Sequence, residues 1–337
     1  MKFKVAAAMS GGVDSSLTAA LLLEGGFDVE GVTMQLDDAQ NFDDARNVCE
    51  TLGIRHHVVD MRSAFRREVV DYFVAEYLRG RTPNPCVRCN REIKFGALFD
   101  FATSLGAHFL ATGHYARVVN EGSRFRLKRA KDVGKDQSYV LYNLTPDKLA
   151  RILLPLGNFS KDDVRRLAAE KNLPTAHKSD SQEICFVPDD DYRRFIADRA
   201  PDADALKAGS IVNADGKILG QHCGVCGYTI GQRRGLGIAH AHPLYVTRLD
   251  VANRQVVVGE GDELFTTTLT AGDVHWIYEP TLPKILHAKI RYGSKPAECT
   301  VEKNLRITFT DPQRAVTPGQ SIVFYDGDEV IGGAIID

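Results

Sequence analysis

The apolar positions of the first half of the chain alternate between two periods. Lys4 to Met9 is a short unbroken apolar run, the pattern of a strand buried on both faces of a parallel sheet. It ends in Ser10-Gly11-Gly12, and Leu17 to Leu23 read as a helix stopped by Gly25-Gly26. Val29 to Leu36 predict a second strand, Phe42 to Leu52 a helix closed by Gly53, and His56 to Val59 a third strand. Ala64 to Leu78 carry amphipathic helical spacing. Phe95 to Leu105 predict a further helix, and His108 to Thr112 a strand ending in Gly113-His114. Strands alternating with helices imply an α/β fold built on a doubly wound parallel sheet, and the alternation holds to about Lys171.

From Gly209 the texture changes. Short alternating runs rich in Gly, Val and Thr are separated by turn signals such as Asn213-Ala214-Asp215-Gly216 and Asp326-Gly327. Helical periodicity is nearly absent through to Asp337, which predicts two small β-barrel-like domains. Boundaries fall near Asp198 to Gly209 and near Glu260 to Thr270, giving domains 1–200, 201–265 and 266–337. The acidic run Asp189-Asp190-Asp191 precedes the helical spacing of Tyr192 to Ile196, where acidic residues suit a helix start better than a metal cluster.

Composition narrows the class. The 337 residues suffice for two or three domains, and no run approaches the roughly 20 apolar residues that cross a membrane. Met1-Lys2-Phe3-Lys4-Val5 leads straight into a strand, with no room for a signal peptide, so a cytoplasmic protein is expected. A formal charge of −2 argues against a basic coat and leaves open a local basic face for nucleic acid. Basic residues do gather at Arg79 to Lys94 and at Arg124 to Lys135, where solvated faces are the plainer explanation. Seven cysteines include two close pairs, Cys86/Cys89 and Cys223/Cys226, which in a reducing compartment point to thiol or metal chemistry.

Ser10 to Ser16 (Ser-Gly-Gly-Val-Asp-Ser-Ser) lies between an apolar strand and an apolar helix. Its glycines admit a phosphate close to the backbone, its hydroxyls can donate to phosphate oxygens, and a helix N-terminus adds free N–H groups. Asp14 is placed to hold Mg²⁺ against those phosphates. The Walker lysine is missing. The loop resembles the pyrophosphate-binding loop of the ATP pyrophosphatase group, whose members split ATP between its α- and β-phosphates.

Thr82 to Phe95 (Thr-Pro-Asn-Pro-Cys-Val-Arg-Cys-Asn-Arg-Glu-Ile-Lys-Phe) holds both Cys86 and Cys89. Two prolines suggest an extended loop with Cys89 at the entry to a helix, where the helix end, Arg88 and Arg91 would favour its thiolate. Cys185 lies in a polar loop leading to an apolar run, Ser179 to Val187.

With these segments, Ala111 to Tyr115, Lys135 to Tyr139, Ser181 to Phe186, Thr229 to Gly237, Arg291-Tyr292 and Thr317 to Gln320 occur in the order seen in the tRNA-specific 2-thiouridylases. The chain resembles that family, MnmA, over nearly its whole length. The resemblance implies a catalytic domain of the adenine nucleotide alpha hydrolase type and sulfur transfer to C2 of the wobble uridine of tRNA. ATP and Mg²⁺ would serve adenylation of the C2 oxygen, at a site matching Ala8, Met9, Ser10, Gly11, Gly12, Val13, Asp14, Ser15, Met34 and Gly113. Cys185 matches the persulfide carrier and Cys89 the partner nucleophile, with a transient disulfide between them in turnover. Asn84, Pro85 and Cys86 match the segment that touches the target base. His114, Lys135, Asp136, Gln137, Arg291, Tyr292 and Gln320 match tRNA contacts. A cysteine desulfurase or sulfur relay protein would supply the sulfur.

Many family members carry aspartate where this chain has Cys86. Cys86, Cys89 and Cys185 could then meet as three thiolates around a 4Fe–4S cluster with one open iron. Alternatively Cys86 replaces the aspartate and the persulfide route is unchanged. Zinc would want a fourth ligand or an open water position. Cys223, Cys226, Cys49 and Cys299 read as packing thiols. Two other readings remain: a small-molecule ligase of the ATP pyrophosphatase group, and a non-catalytic tRNA binder or sulfur carrier on the same fold.

Overall fold

The computed structural model describes residues 2–179, 184–187 and 189–337. Five strands form a parallel sheet: β1 (Lys4–Ala8), β2 (Asp28–Gln35), β3 (His56–Asp60), β4 (Phe109–Ala111) and β7 (Ile152–Leu153), in the order β3-β2-β1-β4-β7. The apolar run of β1 is buried as its pattern requires. Val5 and Ala7 pack with Ala19, Leu22, Val48 and Cys49 of helices α1 (Val13–Glu24) and α2 (Asp43–Leu52). Ala6 faces the other way, into a core shared with Phe65, Val69, Ile93 and Leu98 of helices α3 (62–78) and α4 (85–104). From β1 the chain runs outward to β2 and β3, then returns to β4 on the far side of β1. That reversal opens a crevice at the carboxyl ends of β1 and β4, where doubly wound sheets bind ligands.

Helix α4 begins ten residues before the predicted Phe95. Asn84 caps it, its side-chain oxygen accepting from the Cys86 N–H at 3.1 Å, and Pro85 takes the first helical position, where it has no bond to lose. The two prolines therefore mark a helix start. The backbone bonding of α4 then loosens to the i→i+5 pattern across Asn90–Ala97.

The alternation predicted to Lys171 is interrupted by an antiparallel hairpin, β5 (Ala116–Glu121) and β6 (Arg124–Arg129). It joins the C-terminal sheet through the pairing of β6 with β17 (Glu329–Ile336). That sheet holds β12 (Phe265–Trp276), β13 (Lys284–Lys289), β14 (Ala297–Val301), β15 (Arg306–Arg314) and β16 (Ser321–Asp326). It closes into a six-stranded barrel through β12 and β17. Between the two in sequence comes a four-stranded sheet of β8 (Gly209–Val212), β9 (Ile218–His222), β10 (Tyr245–Asp250) and β11 (Gln255–Gly259). The run 189–191 leads a helix, α5 (Tyr192–Arg199): Asp191 caps it by accepting from the Arg194 N–H at 3.0 Å. Among the described residues no helix is long and apolar enough to cross a membrane.

Both basic runs are largely neutralised inside the molecule. In the run 124–135, Lys128 meets Glu121 at 2.7 Å, Arg129 meets Asp136 at 3.3 Å, and Arg126 pairs with Glu329; Arg117, ahead of that run, meets Asp328 at 2.7 Å. Arg88 pairs with Glu68 and Glu92, Arg91 with Glu92 and Asp273, and Arg79 and Arg81 with Glu76. Lys94 has no carboxylate partner among the described residues.

Beyond the hairpin, buried Asp136 accepts from the N–H groups of Ala130 and Ser138, at 3.0 and 3.2 Å, and from the Ser138 hydroxyl at 3.0 Å. Asp136→Ala strands two buried N–H donors, so it is expected to lower unfolding stability by about 2–4 kcal/mol. Urea denaturation checks this; an unchanged midpoint would show that the turn does not depend on the carboxylate.

Candidate active site at the carboxyl edge of the parallel sheet

Ala8 ends β1, and the chain turns through Met9 to Gly12 into α1. The Met9 N–H donates to the Val32 carbonyl at 2.8 Å, and its own carbonyl accepts from the Thr33 hydroxyl at 2.8 Å. The Ser10 N–H donates to Ser15 Oγ at 3.2 Å, folding the loop over the start of α1. The Ser15 and Ser16 hydroxyls both donate to the Gly12 carbonyl, at 3.0 and 2.8 Å. Met34 lies near the end of β2, half-buried, its carbonyl accepting from Gln40 Nε2 at 3.0 Å. Gly113 closes the far wall. A β-carbon there would stand 3.0 Å from both the Cβ and the carbonyl carbon of Asp14, so a larger residue would push the loop aside.

Three residues absent from the sequence-derived set complete the loop. Lys161 donates to both Asp14 carboxylate oxygens, at 2.8 and 2.9 Å, while the Tyr115 hydroxyl donates to one of them at 2.8 Å. Lys161 is buried at the start of the helix Lys161–Glu170, so the charge of Asp14 is already balanced. A Mg²⁺ ion taken by Asp14 would have to displace or share this ammonium. Lys178 donates to the Gly11 carbonyl at 3.0 Å and pairs with Asp44. Lysines far along the chain carry no signal of their own in a sequence, since only the fold brings them to the loop.

Cys86, Cys89 and Cys185 are electrostatic neighbours: the charges of Cys185 and Cys86 both bear on Cys89, and that of Cys86 on Cys185. All three are free thiols, Cys86 and Cys185 exposed and Cys89 buried. Asp180, Ser181, Gln182 and Glu183, beside Cys185 in its motif, lie outside the described residues, as does Pro188.

The expected activation of Cys89 requires correction. Cys89 is the fifth residue of α4, so Cys86 is the one in the first turn. Arg88 and Arg91 are both engaged by carboxylates. Burial pushes the Cys89 thiol up to about 11, against the opposing pull of Lys94. Although Cys185 keeps contact with solvent, the protein packed around its thiol partly desolvates it and, with Cys86, raises it, again opposed by Lys94. Lys94 is thus the cation that acts on both thiols, five residues past Cys89 across the loosened turn.

The residues matched to tRNA contacts divide sharply. Tyr292 is exposed, edge-on to Tyr139 at 5.9 Å, and close enough to Cys86 for that thiol's charge to bear on its hydroxyl. His114 is buried against Phe95, its Nδ1 2.7 Å from the Thr112 hydroxyl, and burial then Lys94 hold it neutral. Asp136 is consumed by its own turn. Gln137 bonds both ways to the backbone of Tyr115, its N–H to the carbonyl at 2.8 Å and its Oε1 to the N–H at 3.0 Å. Lys135 is half-buried in the same turn, its N–H on the Asp132 carbonyl at 3.1 Å. Arg291 donates to the carbonyls of Ile230 and Ala315, at 3.1 and 2.7 Å, tying the central sheet to the barrel. Gln320 donates to the Thr82 carbonyl at 2.7 Å.

The other cysteines stand apart. His222, next to Cys223, accepts the Gly224 N–H at Nδ1 and meets the Arg254 carbonyl at Nε2, both at 3.0 Å. Neither nitrogen is left for a metal. Cys226, Cys49 and Cys299 are buried among apolar side chains.

With this geometry in place, comparison with known proteins assigns the whole chain. Residues 3–189 match the family described as tRNA methyl transferase HUP domain, 193–260 the tRNA methyl transferase PRC-barrel domain, and 266–336 the aminomethyltransferase beta-barrel domain. A tRNA-specific 2-thiouridylase MnmA from Carboxydothermus hydrogenoformans is 49% identical over 99% of this chain and 97% of its own length. The like-named proteins of Geobacter metallireducens (48% identical, covering 99% and 96%) and Clostridium acetobutylicum (46%, covering 100% of both) match as fully. The chain belongs to the MnmA family of tRNA-specific 2-thiouridylases.

Proposed function

We propose that this protein uses ATP to replace the C2 oxygen of the wobble uridine of tRNA by sulfur. The observation that carries the reading is that Cys86, Cys89, Cys185 and the exposed Tyr292 are electrostatic neighbours, and that Lys94 acts on two of these thiols and on His114, which follows the Gly113 that walls the phosphate-type loop. The C2 carbonyl of uridine is urea-like, so it is a weak electrophile with a poor leaving group. Attack of that oxygen on the α-phosphorus of ATP breaks the α–β bridge, releases pyrophosphate and leaves an O2-adenylate. Ser10 to Ser15, the start of α1 and Lys161 supply donors and positive charge for the phosphates.

Sulfur then has to reach C2. A persulfide on Cys185, loaded by a desulfurase or relay protein, attacks C2 with its terminal sulfur, and AMP departs with the original oxygen. The Cys89 thiolate next attacks the Cys185 sulfur. The S–S bond to the new thiocarbonyl breaks, and a Cys89–Cys185 disulfide forms that an external thiol reductant reopens. Lys94 stabilises each sulfur anion as it develops. Tyr292 offers a stacking face for a base splayed out of a single-stranded loop, and Cys86 lies alongside.

A second reading rests on Cys86, because three thiolates suit a 4Fe–4S cluster with an open iron to bind sulfide. Among the described residues no three His, Cys, Asp or Glu side chains stand close enough to hold a metal ion. The persulfide route needs only two thiols to meet in turn.

Nucleoside mass spectrometry of tRNA incubated with anaerobically purified protein, Mg-ATP and a sulfur source tests the function. The expected product is 2-thiouridine, lost in Cys89→Ser and Cys185→Ser. Continued AMP formation without any thiolated nucleoside, indifferent to both changes, would instead indicate a small-molecule ligase. Cys86→Asp should retain thiolation and bind no iron on the persulfide reading; loss of product together with loss of protein-bound iron would establish the cluster.

The thiol chemistry predicts a pH profile as well. With its thiol pushed up to about 11, Cys89 holds little thiolate at neutral pH. Its alkylation rate in a Cys86→Ser, Cys185→Ser background should rise about tenfold per pH unit from 7 to 9. Lys94→Met should slow it at every pH in that range. A plateau below pH 9, or no effect of Lys94→Met, would refute this account of the site's electrostatics.

A further inference from the structure

Thr82 is held by the barrel through both halves of its backbone. Its N–H donates to the Pro318 carbonyl at 2.9 Å, and its carbonyl accepts from Gln320 Nε2 at 2.7 Å. Between them Gly319 adopts a φ of +89°, and a β-carbon there would stand 2.9 Å from the Thr82 nitrogen and 3.0 Å from the Arg81 Cβ. Only glycine permits both that conformation and that approach. The turn is itself anchored to the last strand, the Gly319 N–H on the Ile336 carbonyl at 3.0 Å and the Ile336 N–H on the Gln320 carbonyl at 2.9 Å. Arg81 reinforces the joint, donating to the Ile336 carbonyl at 2.9 Å.

The link from Thr82 to α4 is short and stiff. One residue, Pro83, separates it from Asn84, and proline fixes its own φ near −65°. Asn84 caps α4 by accepting from the Cys86 N–H, with Pro85 between them. Fixing the Thr82 peptide therefore fixes Asn84, and Asn84 fixes the first turn of α4, where Cys86 is exposed.

We infer that the Pro318–Gln320 turn of the C-terminal barrel is a positioning device for the cysteine loop, with Gln320 acting on Thr82 in the free protein. This assigns Gln320 a role different from the tRNA contact that the resemblance implied, and Gly319 a role where none was implied. The barrel thereby sets the presentation of Cys86 from more than 230 residues away in sequence. The link to thiolation rests on the proposed function; the link to Cys86 does not.

The test separates the two. Cys86 alkylation by iodoacetamide is followed by peptide mass spectrometry in protein free of tRNA and ATP, for wild type, Gln320→Leu and Gly319→Ala. Buried Cys299 serves as the internal reporter of global unfolding. Losing one ordinary hydrogen bond should change the Cys86 rate by about fivefold in Gln320→Leu, with Cys299 still protected. An unchanged Cys86 rate overturns the inference, and an accompanying loss of tRNA affinity would then make Gln320 a direct RNA contact. If both variants expose Cys299, amide exchange in the wild type decides: a Thr82 N–H exchanging as fast as an open loop would overturn the inference, and a protected one supports it. Thiolation assayed alongside should fall by about the same factor with tRNA affinity retained. Absence of thiolation in every protein including the wild type, with the Cys86 difference intact, would fault the proposed function and leave the positioning role standing.

Discussion

The contact on which the site depends is the close approach of the end of β4 to the loop after β1. It exists because the sheet reverses its order between these two strands, so their carboxyl ends leave the sheet in diverging directions with a crevice between. Gly113 makes that crevice narrow at one point, where it touches Asp14 without a side chain between. Tyr115, two residues on, reaches back to the same carboxylate, and Gln137 locks the backbone of Tyr115 in turn.

Asp14 shows how a buried cation changes a motif's meaning. In sequence it reads as a metal ligand. In the fold it is one half of an ion pair whose other half, Lys161, is 147 residues away and almost wholly covered. An unpaired ammonium at that depth would be strongly disfavoured, so the pair stands or falls together. A phosphate group entering the loop meets a neutral pair whose positive member can turn toward it. That is a different starting point from a bare carboxylate, which would repel the nucleotide until a metal ion arrived.

Much of the fold was legible because its parallel core is built from the strongest local signals. Unbroken apolar strands and Gly-terminated helices fixed β1 to β4 to within one or two residues. The start of α4 was misread because Thr82-Pro83-Asn84-Pro85 looks like a loop, although Asn followed by Pro is equally a cap and a first helical residue. The β5–β6 hairpin escaped because its partner strand lies some 200 residues later, and no local period encodes that pairing. The same limit applies to charge. Arg126 and Lys128 read as part of a basic run until the barrel supplies Glu329 and Asp328. Thiol residues were recognisable by type and spacing, whereas their burial was not: Cys86 and Cys89 differ by three positions in sequence and face opposite environments.

On the proposed route the thiols divide the labour. The proposed sulfur carrier has to meet a donor protein, which suits the exposed Cys185. A resolving thiol that ionised early would attack the loaded persulfide before the base arrived and discharge the sulfur unused. If Cys89 is that thiol, as proposed, its burial, which keeps it protonated at neutral pH, guards against the side reaction. The charge of Lys94 reaches both thiols, and it counts for more the less water stands between them. Low reactivity of Cys89 in the free protein thus follows from its burial, opposed by one lysine of the same helix that has no carboxylate partner among the described residues.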